Sequence, residues 1–131
     1  MNDIANRADI ELLINTFYDE VKQDSVIGHI FTSIIGADWS HHLPVMYRFW
    51  DMVLFSTAGY AGSPVKTHVD VDRREPLHKE HFDRWLELWY ANVDKLFAGP
   101  MADMAKNKAM LMSNLISIKV TMSRSGFETL N

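Results

Sequence analysis

The chain has 131 residues, 47% of them hydrophobic, a formal net charge of −4 and no cysteine. That length supports one core, so residues 1–131 read as a single domain, and the apolar share excludes a disordered chain. Scattered basic residues argue against nucleic acid as a partner, and the missing thiols exclude disulfides and thiolate-held metals.

No apolar run approaches the roughly 20 residues that span a bilayer, and the N-terminus has no signal-peptide core, so a soluble cytoplasmic protein without membrane contact is expected. The first element is a helix from Ala8 or Asp9 to about Gln23. Ile10, Leu13, Ile14, Phe17 and Val21 recur there at the helical period, with Asn6 or Asp9 as cap. Tyr18 follows Ile14 by one turn, so its ring faces inward and its hydroxyl needs a partner. Ser25 to Phe31 reads as a short helix or turn weakened by Gly28. Asp38 then caps a second long helix carrying Trp39, His42, Leu43, Met46, Phe49, Trp50, Val53 and Leu54. Pro44 requires either a kink there or a helix that begins just before it.

Thr57 to Pro64 is the clearest loop. Val65 to Glu75 looks too short and too charged for a core helix and reads as a turn or two around His68, ended by Glu75 before Pro76. The strongest periodicity runs from Lys79 to Phe97 through Phe82, Trp85, Leu86, Trp89, Val93 and Leu96. Gly99 and Pro100 separate it from a last helix, Met101 to about Ser123, with Gly126 as its end and Phe127 to Asn131 as a tail. Nothing alternates as a strand does, so the fold class is all-α, four long helices with two short pieces. The connection between the second and third long helices is about two dozen residues, and loops of that length are usually functional.

Six histidines carry the candidate chemistry: His29, His41, His42, His68, His78 and His81. No two have the spacing of a zinc-binding helix, and His78 with His81 reads as a solvated polar turn. His68 is set apart by its place between a Gly/Pro loop and a long amphipathic helix, from which an imidazole nitrogen can meet a flat cofactor lying along that helix. Tyr18, His42 and Trp85 face inward from three other apolar faces and are costly to bury unpaired. A diatomic ligand on a haem iron held by His68 would meet all three.

The order and spacing of several groups of residues resemble the truncated haemoglobins, specifically their third group, over nearly the whole chain. These are Phe17 and Tyr18 with Val21 and Asp24, the run from Ile27 to Phe31, Trp39 to Pro44, Phe49 with Trp50, Tyr60 to Pro64, His68, and His81 to Leu86. The paired glycines of the first two groups are absent. The resemblance implies a shortened globin fold, a 2-on-2 helical sandwich around haem b, with His68 as proximal ligand and Tyr18 and Trp85 as distal donors. It also implies that His42 lines the ligand entrance. His41 is the neighbouring alternative, and His42 is preferred because it shares a helix face with Met46 and Phe49.

Met46, Phe49, Trp50, Val53, Phe82, Leu86 and Trp89 are the candidates for the apolar pocket, and Lys66, Arg73, Arg74 and Tyr60 for the haem propionates. The second N–H of His68 is expected on Asp70, Asp72 or, more commonly, a backbone carbonyl. The expected function is binding of O₂ and other diatomics, with slow release of O₂ because donors hold it. The alternative is a redox enzyme acting on nitric oxide or peroxide, a nitric oxide dioxygenase or weak peroxidase fed by an external reductase. A cofactor-free helical interaction module is the third possibility.

Overall fold

Six helices carry the chain in a computed structural model that describes residues 1–126: α1 (Arg7–Gln23), α2 (Gly28–Ile35), α3 (His42–Phe55), α4 (Pro64–Arg74), α5 (Lys79–Leu96) and α6 (Pro100–Arg124). No strand occurs among the described residues, and the expected tail Phe127 to Asn131 lies outside them. No helix of the described residues is long and apolar enough to cross a membrane.

Asn6 starts α1 by accepting the Asp9 N–H at 3.0 Å, and the helix buries Ile10, Leu13, Ile14, Phe17, Tyr18 and Val21 on one face. That face packs on α3 and α5. α5 packs on α6 in turn, and α3 meets α6, so two helix pairs close on one another in the 2-on-2 arrangement of a shortened globin. Asp3 fastens the N-terminal segment to the start of α6 by accepting the N–H groups of Met101 at 2.9 Å and Ala102 at 2.8 Å.

Three elements differ from expectation, each for a local reason. Gly28 was expected to weaken its helix, but it opens α2 where the chain passes hard against the end of α1. A Cβ there would lie 2.9 Å from the Val21 carbonyl oxygen, so glycine is what lets the corner close. α3 begins at His42, just before Pro44 as one of the two readings of that proline had it, and not at an Asp38 cap. Asp38 accepts the Ser40 N–H at 3.0 Å, Trp39 is buried ahead of the helix, and Pro44 falls in the first turn, where no helical N–H is needed.

The third difference is α4, a helix of eleven residues where only a turn or two was expected. Ser63 caps it by accepting the Lys66 N–H at 3.2 Å, Pro64 takes the first position, and Val69 and Asp72 are buried against α6. Lys66, Asp70, Arg73 and Arg74 lie on the outer face, so they do not count against the helix.

Asp72 joins the end of α4 to the end of α6. Its carboxylate accepts the Leu77 N–H at 2.8 Å and bonds Arg124 through Nε at 3.0 Å and through Nη2. Burial alone pushes this carboxyl up, but the Arg124 guanidinium and the Leu77 N–H outweigh it and hold it below the usual carboxylate range. A carboxylate depressed in the folded state contributes stability above its unfolded value, about 3.9, and loses it as the pH falls through the lower folded value. Asp72→Asn is therefore expected to cost about 2 kcal/mol at neutral pH, less than a fully buried pair because Arg124 is partly exposed. Urea unfolding between pH 2 and 7 should show a shallower acid limb in the variant, and a parallel pair of curves would contradict this role.

Candidate functional site

A cavity of about 320 Å³ opens between the helices, and all six contribute to its wall or its edge. The volume falls in the range of small-molecule sites. Apolar side chains dominate: Ile30 and Phe31 of α2, Met46, Phe49 and Trp50 of α3, Phe82 of α5, and Met112 and Ile116 of α6. Tyr18, His42, Tyr60, His68, His81 and Trp85, residues with polar groups, also line the cavity.

His68 is the fifth residue of α4, and its Nδ1 lies 2.6 Å from the Pro64 carbonyl oxygen. A carbonyl can only accept, so Nδ1 carries the proton and donates it, and the neutral ring keeps its lone pair on Nε2. The two carboxylates that were candidates for this bond are engaged elsewhere. Asp70 pairs with Lys66 at 3.1 Å and Arg73 at 3.7 Å, and Asp72 with Arg124. Burial pushes the His68 imidazole below its ordinary value, and the Pro64 bond offsets only part of that. The ring is thus neutral near pH 7, with the nitrogen a metal takes left bare.

Tyr18 reaches the cavity from α1, its ring 5.1 Å from Trp39 and edge-on to Phe17 at 5.0 Å. Burial pushes its phenol well up, so the O–H stays protonated and able to donate. Trp85 enters from α5, stacked on Trp89 at 5.8 Å and edge-on to Phe17 at 5.8 Å. Phe17 therefore packs edge-on against both donor-bearing rings.

His42 stands edge-on between Tyr18 at 5.5 Å and Trp39 at 5.6 Å, and its Nε2 is buried with no hydrogen-bond partner. Burial, reinforced by the neighbouring His41 and His68, holds this imidazole below its ordinary value. A buried nitrogen left unpaired costs about 1–3 kcal/mol, so the cavity has the chemistry of a place that receives a small polar guest. His41, the alternative at this position, is exposed.

Of the other residues singled out in the sequence, Met46, Phe49, Trp50, Tyr60 and Phe82 lie in the cavity wall, while Val53, Leu86 and Trp89 pack in the core behind it. Lys66, Arg73 and Arg74 project from the outer side of α4 and form no part of the wall. The contributions from α2 and α6, Ile30, Met112, Ser113 and Ile116 among them, were not singled out as cavity wall from the sequence. The visible signal was Ser113, a hydroxyl breaking the apolar face of α6, buried at 5% exposure. Among the described residues no group of three or more His, Cys, Asp or Glu is arranged to hold a metal ion unaided.

No family model matches the chain. In sequence it is 28% identical over 112 residues to the group 3 truncated hemoglobin ctb of Campylobacter jejuni, across 83% of this chain and 86% of that protein. In structure it is similar to the crystal structure of the group III truncated hemoglobin from Campylobacter jejuni, with a TM-score of 0.83 and 26% sequence identity, covering 92% of this chain and 95% of that one.

Proposed function

Given that the chain belongs with the group III truncated haemoglobins in sequence and in fold, we propose that it holds haem b through His68 and binds O₂ and other diatomic ligands there. The observation that carries this is the meeting, in one apolar cavity, of a neutral imidazole with a bare Nε2 and a second imidazole whose Nε2 is buried and unpaired. The residues fit the cofactor. His68, with Nδ1 committed to the Pro64 carbonyl and Nε2 free to ligate, lines a cavity walled mainly by apolar and aromatic side chains, the setting a flat porphyrin requires.

Bound haem would supply an iron able to take a diatomic gas. The chain does the rest. His68 ligates with its tautomer fixed by the Pro64 carbonyl, while Met46, Phe49, Trp50 and Phe82 keep water from the reacting face. Tyr18 holds an O–H and Trp85 an N–H for the negative charge that a bound ligand acquires, and slow O₂ release follows. His42 would line the ligand's way in, and Tyr60, in the wall, would be the better placed of the expected propionate partners. Lys66 is engaged by Asp70 on the outer side of α4.

The Tyr18 hydroxyl also favours a second function, nitric oxide dioxygenase or weak peroxidase, since a protonated donor in an apolar cavity can polarise an O–O bond. That chemistry takes its electrons from a separate reductase, in the cytoplasm. Titrating the purified apoprotein with haemin should give an intense Soret band saturating at one haem per chain, and a featureless titration would overturn the proposal. Rapid nitric oxide consumption sustained by an added reductase would select the enzyme over simple binding.

A further inference from the structure

Tyr18 and Trp85 come from different helices, so the way they share one small ligand depends on how α1 and α5 are set against each other, and misplacement by a fraction of an ångström is felt there. An ion pair between a buried carboxylate and a half-buried guanidinium joins the end of α1 to α5. The Asp24 side chain, 5% exposed, uses both oxygens. Oδ2 accepts the N–H groups of Val26 at 3.0 Å and Ile27 at 3.1 Å, closing the corner between α1 and α2. Oδ1 accepts from Arg84 through Nε at 2.9 Å and Nη2 at 2.8 Å, across 60 residues of sequence.

The partners sit at telling places. Arg84 immediately precedes Trp85 on α5, and Ile27, held by the other oxygen, lines the cavity. Burial pushes the Asp24 carboxyl up, but Arg84 and the two backbone N–H groups more than offset it, so the pair is fully charged at neutral pH. A second ion pair joins the same two helices, Lys95 with Glu20 at 2.7 Å, but its side chains are 56% and 39% exposed and it is free to exchange with water.

We infer that Asp24 and Arg84 are positioning residues for the bound ligand, setting the Tyr18 hydroxyl against the Trp85 indole N–H. This rests on the haem-binding function proposed above. Arg84→Met leaves the His68, Tyr18 and Trp85 side chains themselves unaltered and frees the α1–α2 corner to move relative to Trp85.

The test is the O₂ dissociation rate of the haemin-reconstituted, reduced protein, with the C–O stretching band of its carbon monoxide complex as a second readout. Arg84→Met should speed O₂ release about tenfold, the weakening expected of a misaligned charge-assisted hydrogen bond, and should shift or broaden the C–O band. Arg84→Lys should recover part of the effect, and Lys95→Ala should change neither readout. In a Tyr18→Phe/Trp85→Phe background, Arg84→Met should have no effect, because the groups it positions are gone. The same acceleration in both backgrounds, or an unchanged rate, would overturn the inference. If Arg84→Met does not fold, Arg84→Lys carries the same comparison between backgrounds. A normal Soret band with an unmoved rate defeats this inference alone, whereas no Soret band in the unaltered protein defeats the haem-binding function beneath it.

Discussion

His68→Ala should release haem to an excess of apomyoglobin more than about a hundredfold faster than the unaltered protein, because even the outer partners of a metal ligand are worth roughly 10–100-fold. The apolar wall would still attract the porphyrin, so some haem would be taken up, but without a fixed ligand. Asp70→Asn is the matched comparison, since Asp70 is committed to Lys66 and Arg73 and not to His68, and it should leave the transfer rate alone. An unchanged rate in His68→Ala would mean that the iron is held by another residue.

The second large effect is expected at the donors. Tyr18→Phe keeps the ring contacts with Phe17 and Trp39 and removes only the hydroxyl, so it isolates the hydrogen bond. A bond to a charged acceptor is worth about 1.5–3 kcal/mol, or roughly ten- to more than a hundredfold in the rate at which O₂ leaves. Trp85→Phe should act in the same direction but less cleanly, since it also thins the stack on Trp89. Carbon monoxide, which takes up little charge, should be released at nearly the same rate from all these proteins. Stopped-flow displacement measures both ligands, and an O₂ rate unmoved in the double variant would remove Tyr18 and Trp85 from the ligand's surroundings.

Much of the fold was legible where one helix face alone decides the structure. α1 and α5 follow from apolar residues at the helical period, because each buries a single stripe and exposes the rest, whereas α6 was legible as a helix but not in its inward face, since Met104, Leu111 and Leu115 are exposed and Ala102, Ala105, Ala109, Ser113, Ile116 and Val120 are buried. α4 was not legible by that route. Its helix depends on the Ser63 cap, on Pro64 in first position and on burial of Val69 and Asp72 against α6, a helix that comes some thirty residues later in the chain. Counting charges misjudged it because Lys66, Asp70, Arg73 and Arg74 face outward and the buried Asp72 is neutralised by Arg124.

The site divides in the same way. Tyr18, His42 and Trp85 stood out as polar groups on apolar faces, a pattern visible in one dimension, and the structure gathers them around one cavity with His68. The bond from His68 Nδ1 went to a backbone carbonyl, which no side-chain pattern discloses. The Asp24–Arg84 and Asp72–Arg124 pairs join residues 60 and 52 positions apart, and nothing local marks either carboxylate as buried. Ile30, Met112 and Ile116 looked like ordinary core because a cavity wall and a core face have the same period.

The resonance Raman spectrum of the reduced, ligand-free protein reports most directly on whether the His68 nitrogen holds the iron. A single iron–imidazole stretching band is expected, absent from His68→Gly and restored when free imidazole is added to that variant. The same band persisting in His68→Gly before any imidazole is added would contradict the account.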